Sequence, residues 1–157
     1  MRIIAHRGLL NGPDKVLENH PDQICIALNK GFDCEIDVWY KDDEFFLGHD
    51  EPQYKVDLEF LMMGNLWIHA KNLEALFILA GTNLNYFWHQ EDDYTLTSEK
   101  YIWTYPGKEL TEYSVMVMPE RNDPEFKNLN WNCYGICTDF VLDVFKLYRQ
   151  AQLPKSA

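Results

Sequence analysis

Side chains that titrate or carry charge recur at the ends of short apolar segments. His6 and Arg7 follow the first such segment, and His49 follows the third. Glu35 and Asp37 alternate within the second segment, so both face one side of a β-strand. Two carboxylates with an imidazole can bind a divalent cation, and histidines exchange protons near neutral pH. These residue types therefore indicate a metal-assisted acid–base site.

The same pattern continues further along the chain. His69 and Lys71 lie two residues apart at the end of a later apolar segment, and His89 and Glu120 close two others. Because Arg and Lys pair with phosphate oxygens, Lys71 is a candidate phosphate contact. His69 is a candidate third metal ligand, while His89 and Glu120 are additional candidates for the same site. Trp103 also lies near a strand end and is a candidate contact for the substrate's alcohol.

Together these groups predict phosphodiester cleavage. A cation and basic side chains would neutralise the phosphate, and paired histidines would move protons to and from the reacting oxygens. For such chemistry the residues must meet in space. In a barrel of parallel strands, all the carboxyl ends of the strands open on one rim, where active sites form.

The apolar pattern predicts an α/β chain. Strands are expected at residues 2–5, 34–39, 44–48, 66–69, 86–89, 101–104, 114–118 and 134–138, and helices at 21–29, 57–63, 73–80 and 139–148. The strand at 44–48 follows the Asp42-Asp43 turn, so it is expected to form a hairpin with the strand before it. Without that hairpin segment, seven candidate barrel strands remain.

The alternation of strands and helices is typical of a parallel sheet. A complete (β/α)8 barrel takes ~250 residues, whereas this chain has 157. Residues 82–132 contain little helix signal. We therefore predict a reduced or incomplete TIM-like barrel with a parallel strand core and few helices in the second half. A small doubly wound sheet is the alternative.

Composition excludes some partners. The chain has 25 acidic and 14 basic residues, which disfavours binding to nucleic acid or to an anionic membrane. No segment has the length of a membrane span or the form of a leader peptide, so we expect a cytoplasmic protein without stable membrane insertion. We expect one domain over residues 1–149 and a short polar tail at 150–157. A trimmed barrel leaves strand edges uncovered, which favours a homodimer.

The motifs resemble those of the glycerophosphodiester phosphodiesterase family in order and spacing. They are residues 4–8 (IAHRG), 18–19 (EN), 35–37 (EID), 48–50 (GHD) and, near the end, 135–139 (GICTD). That family folds as a TIM barrel and resembles the phosphatidylinositol-specific phospholipases C. The resemblance implies a small-molecule phosphodiester substrate and one divalent cation, Mg²⁺ or Ca²⁺. It also implies roles for individual residues.

By this resemblance His6 and His49 are the catalytic acid–base pair. Glu35 and Asp37 are metal ligands, and Arg7 contacts the phosphate. These roles agree with the chemistry that the residue types indicate by themselves.

The chain departs from the family pattern in two places. Residues 17–20 read LENH where the family has Pro-Glu-Asn-Thr, although Glu18 is retained as a residue beside the substrate. His69 stands where the family has the Glu of Glu-x-Lys, while Lys71 is kept. An imidazole in place of a carboxylate shifts the expected metal toward Mn²⁺ or Zn²⁺.

Two alternatives stay open, the first of them because of His69 and because residues 82–132 match no family motif. The chain could be a non-catalytic module that binds a phosphate ligand on the same fold. It could also be a lyase that releases a cyclic phosphate. The identity of the leaving alcohol is open.

Overall fold

The computed structural model describes residues 1–153 of the chain. It is a mixed α/β structure. The strands are β1 (Arg2–His6), β2 (Asp33–Lys41), β3 (Glu44–Leu47), β4 (Tyr54–Val56), β5 (Leu66–Ala70), β6 (Tyr86–Phe87), β7 (Tyr94–Leu96), β8 (Ile102–Thr104), β9 (Ser114–Val117) and β10 (Gly135–Thr138). The helices are α1 (Pro21–Asn29), α2 (Leu58–Leu61), α3 (Leu73–Ala80) and α4 (Val141–Ala151), with a 3₁₀ helix at Pro119–Arg121.

All ten strands belong to one sheet. Parallel ladders join seven of them in the order β6-β5-β2-β1-β10-β9-β8. These seven overlap the seven candidate barrel strands expected from the sequence. The second half of β2 also pairs antiparallel with β3. The turn residues Asp42 and Asp43 have φ of 52° and 62°, as a type I′ hairpin requires, so the predicted hairpin is confirmed.

The sheet is curled, so strands at the two ends of the parallel series approach each other. The rings of Phe87 on β6 and Trp103 on β8 lie 4.7 Å apart between centroids. The backbone nitrogen of Ser98 donates to the carbonyl oxygen of Tyr86 across the same gap. Ile4, Trp67, Val115 and Cys137 are buried with both rings in an inner cluster. A curled sheet filled by its own side chains is compatible with an incomplete barrel.

Helices cover only part of the outer face. α1 and α3 pack on β2, α3 also packs on β5 and β6, and α4 packs on β1. Asn72 caps α3 because its side-chain oxygen accepts from the backbone nitrogen of Ala75 at 3.2 Å. Between Ala80 and Gly135, within the part of the chain that the structure describes, the 3₁₀ helix is the only helix. The expectation of few helices in the second half is therefore confirmed.

Some boundaries differ from the prediction. The three-residue strands β4 and β7 were not predicted, because the alternation of side chains is hard to recognise over so few residues. Both lie at the outer ends of antiparallel pairs. The predicted strand at 86–89 is shorter in the structure. β6 ends at Phe87, so His89 lies beyond the strand and not at its end.

The last predicted helix ends too early. Gln150 and Ala151 belong to the last turn of α4, beyond the predicted end at residue 148. The helix extends this far because its inner side packs on the protein, with the rings of Tyr148 and Trp131 5.7 Å apart. The rest of the predicted tail, residues 154–157, lies outside the described residues. Among residues 1–153, no helix has the length and apolar character needed to cross a membrane.

Candidate active site

A cavity of about 360 Å³ opens at the carboxyl ends of the parallel strands. Its size suits a small molecule. Nine of the eleven predicted site residues line it: His6, Arg7, Glu35, Asp37, His49, His69, Lys71, His89 and Trp103. Of the other two, Glu18 contacts the lining residue Arg7, and Glu120 contacts Asp139, which pairs with the lining residue His6.

Three side chains form a cluster that could hold a metal ion. Glu35 and Asp37 alternate along β2, and His69 lies directly opposite Asp37 in the ladder with β5. One ligand atom from each residue lies within 4.8 Å of the others. Both carboxylates are buried, at 3% and 1% relative exposure. The predicted metal ligands therefore meet because alternation along one strand and register with the next place them together.

Asp37 has abundant partners. One oxygen lies 3.2 Å from Arg7 Nε and accepts from Asn19 Nδ2 at 2.8 Å. The other lies 3.1 Å from His69 Nδ1 and 3.4 Å from Lys71 Nζ. Burial alone would raise the pKa of Asp37, but the hydrogen bond with His69 and the surrounding positive charges lower it well below its ordinary value. Asp37 is therefore a firmly ionised carboxylate.

Glu35 has few partners by comparison. Within residues 1–153 its carboxylate accepts one hydrogen bond, from the backbone nitrogen of Arg7 at 3.1 Å. The nearest imidazole nitrogens lie at 4.0 Å for His6 and 3.9 Å for His69. Burial and the charge of Asp37 raise the pKa of Glu35. A buried carboxylate with so little compensation is suited to a cation, and two carboxylates with one imidazole are an appropriate donor set.

The ring of His69 is held in one orientation. Its Nε2 donates to the carbonyl oxygen of His89 at 3.0 Å, and the ring stacks on Phe87 with centroids 5.1 Å apart. This hydrogen bond places a proton on Nε2, so Nδ1 is the nitrogen that faces Asp37 and Glu35. His89 thus contributes its backbone to the site. Its own ring lines the cavity, and burial lowers its pKa.

His6 forms a pair with Asp139. Nδ1 of His6 lies 2.7 Å from a carboxylate oxygen of Asp139, which immediately follows β10. Burial would lower the pKa of His6, but the hydrogen bond with Asp139 and the charge of Glu35 raise it. Behind this pair, one oxygen of Glu120 accepts from Thr138 Oγ1 at 2.9 Å and from the backbone nitrogen of Asp139 at 3.0 Å. Glu120 therefore holds the backbone segment that positions Asp139.

His49 reaches the cavity from a tight turn after β3. The preceding Gly48 has φ of 149°, and a Cβ there would lie 2.1 Å from the carbonyl oxygen of Glu51, so the turn requires glycine. Trp39 Nε1 donates to the Gly48 carbonyl and fixes the turn further. Nδ1 of His49 lies 2.6 Å from Asp50. Burial, together with the charges of Arg7 and Lys71, lowers the pKa of His49.

Arg7 is positioned by its backbone and by Glu18. Its φ of 51° is in the left-handed region, which is unfavourable for a residue with a side chain. This conformation aims the backbone nitrogen at Glu35. Arg7 Nη1 donates to Glu18 at 2.9 Å, and Lys15 pairs with the other oxygen of Glu18. Glu18 was predicted as a substrate contact; within residues 1–153 it holds Arg7 and is not among the cavity-lining residues.

Three residues of the candidate site were not predicted from the sequence. Asn19 clamps Asp37 twice, donating to its carboxylate and accepting from its backbone nitrogen at 2.9 Å. Asp139 pairs with His6, and Arg121 lines the cavity. Asn19 and Asp139 both lie inside motifs that had been recognised, so the motifs themselves were the available signal. Arg121 ends the 3₁₀ helix after β9, in a segment without a recognised motif, and no sequence signal marks it.

Comparison of the chain with family models, curated proteins and solved structures gives no match. The arrangement of side chains is therefore the basis for any functional assignment.

Proposed function

We propose that this protein is a phosphodiesterase that uses one divalent cation and a pair of histidines. The observation that carries the proposal is the convergence of three groupings in one small cavity. These are the cluster of Glu35, Asp37 and His69, the pair of His6 and Asp139, and the basic side chains of Arg7 and Lys71. Convergent titratable groups in one cavity are typical of an active site.

Glu35, Asp37 and His69 would hold the cation. When bound, it would polarise a phosphoryl oxygen as a Lewis acid. Arg7 and Lys71 would bind the other phosphoryl oxygens and neutralise the charge that builds in the transition state. Both already lie against Asp37, so little side-chain ordering is needed for them to meet a phosphate at this position.

Two histidines would move the protons. Asp139 orients His6 through Nδ1 and leaves Nε2 on the side of Glu35. His49 enters the same cavity from a separate turn. One imidazole would take a proton from the attacking hydroxyl or water, and the other would give one to the leaving alcohol oxygen. A substrate hydroxyl next to the phosphate could attack first, giving a cyclic phosphate that water then opens.

We further propose that the curled sheet is a reduced TIM-like barrel of the glycerophosphodiester phosphodiesterase kind. The support is the position of the motifs in the structure, since His6 on β1 lies opposite Glu35 on β2, and Asp37 on β2 lies opposite His69 on β5. A glycerophosphodiester is then the expected substrate. The predicted homodimer stays a prediction.

The test is hydrolysis of bis(p-nitrophenyl) phosphate and glycerophosphodiesters, with Mg²⁺, Ca²⁺, Mn²⁺ and Zn²⁺ assayed separately. We expect metal-dependent turnover that His6→Ala and His49→Ala each reduce by about 10²- to 10⁴-fold. His20→Asn is the matched control. It removes a histidine outside the cavity and keeps a side-chain acceptor at the N-cap of α1.

Other outcomes would redirect the assignment. A folded protein that binds phosphodiesters but turns over none of them, with any of the metals, would be a binding module. A lyase would release a cyclic phosphate that is never opened, and phosphorus NMR would detect this product. Equal loss of activity in His20→Asn and His6→Ala would show that the histidine effect is not specific to the cavity.

A further inference from the structure

One wall of the cavity differs in character from the rest. It is built from β8 and from the loops that follow β8 and β9. It includes Trp103, Tyr105, Pro106, Met118 and Arg121 and is here called the aromatic wall. Within residues 1–153, Arg121 is the one arginine, lysine or carboxylate that these two loops contribute to the lining. This wall therefore presents apolar surface with a single positive charge.

The charge of Arg121 is not neutralised by the protein. Within residues 1–153, no carboxylate lies within ion-pair distance of Arg121, and its guanidinium makes no hydrogen bond to the chain. The other two basic residues of the cavity contrast with it, because Arg7 and Lys71 both contact Asp37. Arg121 is thus the basic group in the cavity that is available to a second negative charge on a ligand.

The backbone that carries Arg121 is fixed on the side of β10. Met118 has φ of 46°, a left-handed conformation that turns the chain at the end of β9. The backbone nitrogen of Arg121 donates to the Met118 carbonyl at 3.1 Å. The adjacent Glu120 accepts from Thr138 Oγ1 at 2.9 Å, which ties this turn to β10.

The other side of the turn packs against the loop after β8. Gly107 has φ of 80°, and a Cβ at this position would lie 2.5 Å from Nδ2 of Asn122. Glycine therefore allows the loop that carries Tyr105 and Pro106 to approach the turn that carries Arg121. The backbone of Arg121 is therefore fixed at the cavity, while its side chain is exposed and free to meet a ligand.

We propose that the aromatic wall binds an alcohol group that carries a second negative charge, and that Arg121 determines this specificity. The inference rests on the proposed phosphodiesterase function. A cationic alcohol such as choline would meet Arg121 as a like charge, whereas a carboxylate or phosphate on the alcohol would pair with it. The acidic segment at residues 91–93 does not counter this charge in the cavity. Glu91 and Asp92 are outside the lining, and Asp93 pairs with Lys108 at 2.9 Å.

The test compares two diesters of nearly equal shape. Glycerophosphoglycerol ends in a neutral hydroxymethyl group, and glycerophosphoglycerate ends in a carboxylate. Their binding to the full chain is measured by titration calorimetry in the His6→Ala background, which slows turnover. We expect the carboxylate to bind about tenfold more tightly, which is the contribution expected of a hydrogen bond between charged groups.

The variants identify the source of the preference. Arg121→Gln should bring the two affinities within about twofold of each other, whereas the matched control Arg149→Gln should leave the tenfold difference in place. Arg149 lies on α4, outside the cavity lining, and faces Phe145. Equal affinities in the His6→Ala parent, a preference that survives Arg121→Gln, or no binding of either diester would overturn the proposal.

Turnover of bis(p-nitrophenyl) phosphate by the unmodified chain separates this proposal from the one on which it rests. That substrate has no second anion. Turnover without a charge preference would reject the role of Arg121 and leave the phosphodiesterase function intact. A charge preference without turnover would reject the phosphodiesterase function and leave an anion-selective phosphodiester-binding site.

Discussion

The two halves of the chain contribute to the cavity in different ways. Residues 1–81 supply most of the charged groups, namely Arg7, Glu35, Asp37 and Lys71, together with the imidazoles of His6, His49 and His69. Residues 82–153 supply the ring of His89, an aromatic wall that includes Arg121, and two carboxylates outside the lining that hold another residue in place. Asp139 orients His6, and Glu120 contacts the backbone of Asp139.

The two halves also differ in how they position their side chains at the cavity. In the first half, ladder register and tight turns place the groups, as with Asp37 opposite His69 and with the turn at Gly48. In the second half, loops and a 3₁₀ turn do so, and their fixed points are hydrogen bonds between distant segments. The first half therefore provides reactive groups, while the second provides orientation. The three predictions below test that division.

The largest effect should come from a residue of the second half. Asp139→Asn keeps the size of the side chain but removes the charge that orients His6. We expect kcat to fall by about 10²- to 10⁴-fold, as for other carboxylates that orient a catalytic histidine. Metal affinity, measured by titration, should change little, because Asp139 lies outside the ligand cluster.

Asp143→Asn is the matched control for this substitution. Asp143 is an exposed residue in the first turn of α4, four positions further along the chain. It should leave kcat unchanged. Full activity in Asp139→Asn would show that His6 needs no orienting partner and that the second half contributes less than the structure indicates.

Much of the first half could be predicted from the sequence because its signals are local. Glu35 and Asp37 share a face through simple alternation, and the parallel strands were visible as apolar segments. The strands β4 and β7 were missed because three residues give too little pattern. α4 was ended too early because its last turn is polar on the solvent side.

The missed site residues depend on non-local contacts. Asp139 lies 133 positions from His6, and no spacing rule relates two residues so far apart. Asn19 could be recognised as part of a motif, but its clamp on Asp37 depends on a left-handed backbone, with φ of 57°. Arg121 became visible only when the 3₁₀ turn placed it at the cavity. The positions of Asn19, Asp139 and Arg121 at the site all depend on tertiary contacts that a sequence pattern does not reveal.

A second prediction separates the two buried carboxylates of the first half. Asp37→Asn should lower the free energy of unfolding by about 3 kcal/mol, because it leaves buried positive groups without their partner. Glu35→Gln should cost no stability, since burial already disfavours the ionised form of Glu35. Urea unfolding with a chelator present at neutral pH measures both. Both variants should lose metal binding.

The expected stability changes of the two variants follow from the pKa shifts of Asp37 and Glu35. The lowered pKa of Asp37 means that its ionised form stabilises the fold at neutral pH, and this contribution is lost as the pH falls through the folded pKa. The raised pKa of Glu35 means that ionisation costs stability at neutral pH. Equal destabilisation by the two substitutions would contradict the contrast in their partners.

The smallest effect should come from Glu120, which acts on His6 through Asp139. Glu120→Ala removes the acceptor for Thr138 Oγ1 and for the backbone nitrogen of Asp139, so kcat should fall about tenfold through loss of orientation. Glu120→Gln should restore most of this, because its amide oxygen can accept both hydrogen bonds. Substrate KM should stay within about twofold in both variants, since a group that only orients His6 does not bind the ground state. If Gln is as impaired as Ala, the charge of Glu120 matters, and the second half then contributes electrostatics as well as orientation.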